Sequence, residues 1–374
     1  MVRSVLRIGF MAAVCLVLGG PPAVAATPGW DHPGYDAEDS YYNPHESAIN
    51  AGSVGSLRTR WSVSLRRFGE TCGGWSAPLA AAGRAVVGDQ LGVSAYSLTD
   101  GKPAWHFTWP DPGDTSVATM AVSGGTLVAA HGECYSQSDP DGHLVALDLA
   151  TGKLRWKLDT DTPVDSFVVD KGIVLTSGSS PSDELVTVAY RVADGKPAWT
   201  KPLHDASPVS ADGHVLLVKD RTTSAADITT GRLLWTKPAI WHAESATPAA
   251  DRFLVTNGAA LSAINASTGA VTWTVEGKQS PLLATDGRRA YVASGRSVEA
   301  LDMRTGRRFW SRRLGEEGLQ PVRAGGLVYT GGPILNAASG AIVSSPPALA
   351  AAKVAVTGGR LLAVKGPALA TFTP

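Results

Sequence analysis

An all-β fold, an eight-bladed β-propeller of four-stranded antiparallel blades, is what this sequence predicts, and three observations carry the prediction. A turn glycine is followed four residues later by tryptophan in Gly101/Trp105, Gly152/Trp156, Gly195/Trp199, Gly231/Trp235, Gly269/Trp273 and Gly306/Trp310, which takes six of the eleven tryptophans. A phrase repeated so regularly marks a repeat architecture. Short runs of Val, Ala, Leu and Thr alternate with Gly, Asp and Pro turns, and no long stretch of helical period follows the first 26 residues. Finally, an apolar segment at 57–65, containing Trp61, has no hairpin before it, whereas the chain's last repeat has only three strands. Placing that orphan as the outer strand of the last blade closes the ring and removes an unpaired sheet edge.

Residues 1–26 are a different material. Arg3 and Arg7 precede an apolar run, Ile8 to Leu18, too short to span a bilayer, and Ala23-Val24-Ala25 supplies small residues for signal peptidase. This reads as a secretory signal peptide, so the mature protein is expected to be secreted or extracytoplasmic, with no membrane span. The chain carries 33 basic and 33 acidic residues, and loss of Arg3 and Arg7 leaves it slightly acidic. Without a basic run, nucleic acid and anionic membrane are not expected partners. Residues 27–56 form an aromatic-rich lead-in, with Trp30, Tyr35, Tyr41 and Tyr42 expected to pack the incoming chain across the ring, and 57–374 form the propeller.

Within each repeat, a short apolar strand ends in a turn whose glycine supplies positive φ, and the next strand carries a large aromatic for burial between sheets. Trp61, Trp105, Trp156, Trp199, Trp235, Trp273 and Trp310 are therefore read as scaffold. Asp148, Asp227, Asn265, Asp302 and Asn336 stand four residues before a turn glycine, where a short acceptor can bond backbone N–H groups. The turn at Ser339-Gly340 has Ser344 in the tryptophan's place. Eight upstream hairpins, from Ala82-Gly83 to Gly358-Gly359, set the blade count. Cys72 and Cys134 survive processing in an exported protein and make an even pair, so a disulfide is expected.

In a propeller, the loop entering each inner strand and the loop joining the two middle strands open on one face. The unusual side chains gather in those loops: Trp75, His131, His204, Asp205, Trp241, His242, Glu244 and Glu317 are the candidate ligand-binding residues. Converging imidazoles and carboxylates suit proton transfer or ligand capture, and Trp75 and Trp241 could wall a flat ligand. None of the residues reads as a metal ligand: Asp159, Asp161 and Asp165 lack the glycine and terminal glutamate of a calcium loop, and Asp139-Pro140-Asp141-Gly142 reads as a turn. Catalytic residues stay unknown: Gly-x-Ser-x-Gly, His-Glu-x-x-His and phosphate-loop motifs are all missing.

The repeats resemble those of the quinoprotein (PQQ) propeller superfamily, in which a tryptophan of each outer strand docks between blades. The lead-in, Gly34-Tyr35-Asp36 through Tyr42-Asn43-Pro44, Ile49, Val54, Leu57 and Trp61, is similar to the amino-terminal signature of quinoprotein dehydrogenases. The superfamily also includes outer-membrane-protein assembly propellers that bind no quinone. For an enzymatic member the resemblance implies PQQ and calcium as cofactors; the residues themselves call for none. The adjacent cysteine pair of the alcohol dehydrogenases and a haem-attachment Cys-x-x-Cys-His are both missing from this sequence. The reading is therefore an exported propeller, expected as a monomer, acting as a binding or scaffolding module for a protein, glycan or small molecule on its loop face. The alternatives are a PQQ-dependent alcohol, aldehyde or sugar oxidoreductase, and a cofactor-free lyase, cyclase or hydrolase using His and carboxylates at the channel mouth.

Overall fold

The computed structural model describes residues 29–69, 71–278 and 281–374. Residues 1–26, read above as a secretory signal, and the first two residues of the lead-in lie outside them. Among the described residues eight antiparallel four-stranded units form the propeller, with inner strands Leu79–Ala81, Thr119–Ser123, Ser166–Asp170, Asp205–Ala211, His242–Ala246, Leu282–Thr285, Val322–Ala324 and Lys353–Thr357. The central strands of a blade are buried on both faces by its neighbours, as in Arg84–Asp89 and Ile173–Gly178, so burial runs along them without the alternation of a half-exposed strand. Outer strands such as Leu154–Thr160 leave alternate residues in water.

Closure follows the sequence reading. Arg58–Ser64 pairs antiparallel with the chain's last strand, Ala368–Thr373, and Trp61 lies opposite Thr371. The three strands contributed by the carboxy terminus thus gain their fourth from the amino-terminal side, and no blade edge is left open at the joint. One sheet departs from four strands. Tyr42–Asn43 adds parallel to the inner strand of the seventh blade and makes it five-stranded.

The tryptophans act as the rivets between blades. Each indole N–H donates to a backbone carbonyl of the next blade, Trp61 to Leu98, Trp105 to Leu149, Trp156 to Val192, Trp199 to Ile228, Trp235 to Ala266, Trp273 to Met303 and Trp310 to Ala337, at 2.8–3.2 Å. Each ring lies flat against the turn glycine of that blade: a Cβ on Gly231 (φ +69°) would sit 2.8 Å from the Trp199 ring. Glycine is needed there for both its φ and its missing side chain. The turn acids do what their position suggests, Asp227 accepting from the N–H groups of Thr229 and Thr230 at 3.0 and 2.9 Å.

Ser344 also finds its reason. The tryptophan due there would dock on a turn leading into the outer strand of the eighth blade, but that strand enters from the 3-10 turn Val54–Ser56 and no such glycine turn exists.

The lead-in threads the ring rather than merely crossing it. Trp30 exchanges two backbone bonds with Ala80 of the first blade, and Asp31 accepts from Val122 of the second. His32 pairs through Nε2 with Val169 of the third, Ala37 accepts from Ser210 of the fourth, and Glu38 from Ala246 of the fifth. Ser40 and Tyr41 accept from Thr285 and Arg323 of the sixth and seventh, and Asn43 donates to Val356 of the eighth. Every partner lies at the hairpin end of its inner strand, so this strap closes the channel on the hairpin face. Its curve is tight: Tyr35, Asp39 and Tyr41 adopt φ of 84°, 51° and 49°.

Candidate functional site on the loop face

With one end of the channel strapped shut, the opposite end is a cup. A cavity of about 360 Å³ occupies it, walled by the loop-side ends of the inner strands of the first, second, seventh and eighth blades, with Pro33 and Tyr41 of the strap among its lining. Leu79, Met120, Val322 and Val354 make its wall apolar, and the cavity falls within the size range of small-ligand pockets. Lys353 is its one charged lining residue; its Nζ donates to the Trp75 carbonyl at 2.7 Å, and desolvation lowers its pKa. Val117 and Leu282, at the loop ends of the second and sixth blades, are each 40% exposed, which leaves apolar surface at the mouth.

A second cavity, about 380 Å³, opens on the same face at the second blade. His131 ends one middle strand, Thr126–Gly132, and His143 opens the next, Gly142–Asp148, directly opposite it in register. Their ring centroids lie 4.8 Å apart with the planes tilted by 32°, and the Trp109 ring lies 4.4 Å from that of His131 at a tilt of 51°. His143 pairs through Nδ1 with Asp159 at 2.8 Å and through Nε2 approaches Glu133 at 3.6 Å. Burial and the neighbouring His143 push the His131 pKa down to about 4, so its imidazole is neutral near pH 7. The expected disulfide joins Cys72 to Cys134 beside this cavity, with Cα atoms 6.1 Å apart.

The residues singled out from sequence are distributed as follows. Asp205 and His242, from the fourth and fifth blades, come together with 3.9 Å between Oδ2 and Nδ1. His204 turns back on its own loop, pairing through Nδ1 with the Pro202 carbonyl at 2.8 Å, and Glu244 accepts from Thr256 at 2.7 Å. Trp241 is buried in the core around Val209 and Phe253, whereas Trp75 packs against the core cluster of the first blade, so the two do not flank one ligand. The Trp75 indole nitrogen is buried without a partner. Glu317 is exposed.

His143 and Lys353 escaped the sequence reading. Both stand inside strands rather than loops, where a polar side chain is ordinarily taken for the solvated face. The signal for His143 was present in the symmetric placement of His131-Gly132 and Gly142-His143 about one loop.

A family profile described as outer membrane protein assembly factor BamB, of the PQQ-repeat type, matches residues 55–236 and 224–365. BamB of Escherichia coli (strain K12) is 30% identical over 162 residues, 42% of this chain and 38% of that protein. Methanol dehydrogenase (cytochrome c) subunit 1 of Methylobacterium organophilum is 28% identical over 189 residues, 46% of this chain and 29% of that one. The chain therefore spans well under half the length of either curated relative. Among solved structures, the quinohemoprotein alcohol dehydrogenase of Comamonas testosteroni superposes with a TM-score of 0.65 over 94% of this chain and 81% of that chain at 14% identity, a likeness of fold. A calcium-bridged quinone needs carboxylate oxygens converging in the channel. Among the described residues that line this cavity none is a carboxylate and the one charged group is a cation, so its own wall does not supply that donor set; the carboxylates of Asp36 and Asp39 lie in an adjoining cavity beneath the strap.

Proposed function

We propose, from the premise that this chain belongs to the family of the outer membrane protein assembly factor BamB, that it is an extracytoplasmic binding or scaffolding propeller which engages its partner through the loop face. The observation that supports this reading best is the one-ended channel. A strap bonded to all eight blades fills the hairpin side, and an apolar cup with a single cation faces the other way. Such a surface can hold a projecting side chain or a small molecule. The apolar residues at the mouth extend the contact outward, as an interface core surrounded by a polar rim does.

The secretory reading of residues 1–26 supports placement outside the cytoplasm, and among the described residues no helix is long and apolar enough to cross a membrane. Site-specific photo-crosslinking in cells of the protein's own host tests the assignment. A crosslinking amino acid at Val117, on the cup's rim, should trap a discrete partner, whereas one at Leu154, exposed to a similar degree on the hairpin side, should not. Equal capture at both positions, or capture at Leu154 alone, would remove the loop face from the mechanism.

A further inference from the structure

The second blade carries a pattern that neither the fold nor the binding reading uses. His131 and His143 face each other across two antiparallel strands, and in both the Nδ1 atom is engaged with an oxygen acceptor. For His143 the acceptor is the Asp159 carboxylate at 2.8 Å; for His131 it is the Gly132 carbonyl at 3.3 Å. Histidines that bind metals are oriented in this way, the outer nitrogen held by a carboxylate or carbonyl and Nε2 left for the ion. His131 is 6% exposed and lines the cavity, and its Nε2 has no partner among the described residues. That nitrogen is not one of the fully buried polar atoms left without a partner, so it is open to the cavity and accessible to a ligand there.

We propose that this mouth of the second blade binds one divalent transition-metal ion of the Zn²⁺ type, with His131 Nε2, His143 Nε2 and the Glu133 carboxylate as ligands. Two donors already stand nearly as one ion requires. His143 Nε2 and Glu133 Oε1 are 3.6 Å apart, against about 3.4 Å for two ligands of a tetrahedral zinc. The third has to be gathered in. Among the described residues the trio of donor atoms lying within 4.8 Å of one another is Cys72, Asp114 and Cys134, and the disulfide takes both of those sulfurs. That third donor is His131 Nε2, so the imidazoles must draw together on the ion, and Glu133 can follow them: its other oxygen accepts only a long 3.3 Å bond from the Asp141 N–H, and its side chain has three rotatable bonds.

Two imidazoles and one carboxylate favour Zn²⁺, Co²⁺ or Cu²⁺ over the all-oxygen preferences of Ca²⁺ and Mg²⁺. The carboxylates of Asp111, Asp114 and Asp141 on the same cavity wall supply the negative potential that a dication needs. Three protein ligands leave a fourth position facing the cavity, for water or for a donor from a bound partner. Trp109 and Asp159 act as positioning residues, the one fixing the plane of His131 and the other the tautomer of His143.

Titrating metal-free, disulfide-intact protein with Co²⁺ and following visible absorption, with Zn²⁺ as competitor, tests the site. One equivalent should bind with the intense bands of tetrahedral cobalt and be displaced by zinc. His143→Ala and His131→Ala should each weaken binding roughly 100-fold, and Asp159→Asn roughly 10-fold, the range seen for outer-shell partners. Absence of saturable binding, or binding that survives the double histidine variant, would overturn the proposal. Should the variants fold poorly, imidazole ¹⁵N resonances of the unmodified protein decide: zinc must shift those of His131 and His143, and shifts confined to other histidines would reject the site.

Discussion

Trp61→Ala removes the rivet at the joint where the ring's two ends meet. The Trp61 side chain is 9% exposed, belongs to the core cluster that includes Tyr96 and Phe372, and donates its indole N–H to the Leu98 carbonyl at 3.2 Å. An aromatic of this size buries roughly 200 Å², which at about 25 cal/mol per Å² is worth about 5 kcal/mol. Partial collapse around the truncated site brings the expected loss into the range of about 3–5 kcal/mol seen for tryptophan truncation. The position matters as much as the area. The other blades take all four strands from one continuous stretch of chain, whereas Arg58–Ser64 is held to the carboxy-terminal strands by pairing, and Trp61 docks the blade so completed onto the first. The variant should therefore also lose cooperativity, the closing strand releasing before the remaining blades. Guanidinium unfolding followed by tryptophan fluorescence and far-ultraviolet circular dichroism measures both effects. Coincident transitions with less than about 1 kcal/mol of destabilisation would refute the account of closure, since that is the size of a typical surface change.

Three further outcomes are expected. Gly231→Ala forces a Cβ to 2.8 Å from the Trp199 ring at φ +69°, and should cost about 2–4 kcal/mol in denaturant unfolding; an unchanged midpoint would show that the ring can slide. Replacing Cys72 and Cys134 by serine opens a loop with a sequence separation of 62 and should cost about 4 kcal/mol in the chain-entropy account, while an unaltered thermal midpoint would contradict it. Burial raises Asp36, Glu38 and Asp39 in the strap to about 6, 7 and 7, so the folded chain keeps protons that the unfolded chain gives up near the ordinary values of 3.8 and 4.5. The stabilisation from these protonated groups is complete below about pH 4 and is lost as pH rises through about 6 to 7. Asp39→Asn should remove part of that dependence, and a stability difference between variant and parent that stays constant from pH 4 to 8 would be inconsistent with it.

What the amino-acid sequence determined by itself was everything carried by short-range rules. Turn glycines, the acids four residues before them and the tryptophan four residues after them are local patterns, and their repetition revealed the blades, the hairpin count and the unpaired strand around Trp61. The cysteine pairing was legible for a related reason, since topology placed both residues in loops of one face at adjacent blades. Tertiary structure decided what depends on partners far apart in the chain. The strap's path is set by carbonyls and N–H groups of eight inner strands, and nothing in 29–43 shows which of them it will meet. Trp241 has the composition of a binding wall, but neighbouring strands bury it. His143 acquires its meaning from the strand register that sets it opposite His131. The repetition shows that Ser344 stands where a tryptophan is due, and only ring closure shows that its acceptor turn does not exist. Side-chain chemistry and local period are written residue by residue, whereas a site is a set of distances, and these arise only when the blades have closed around the axis.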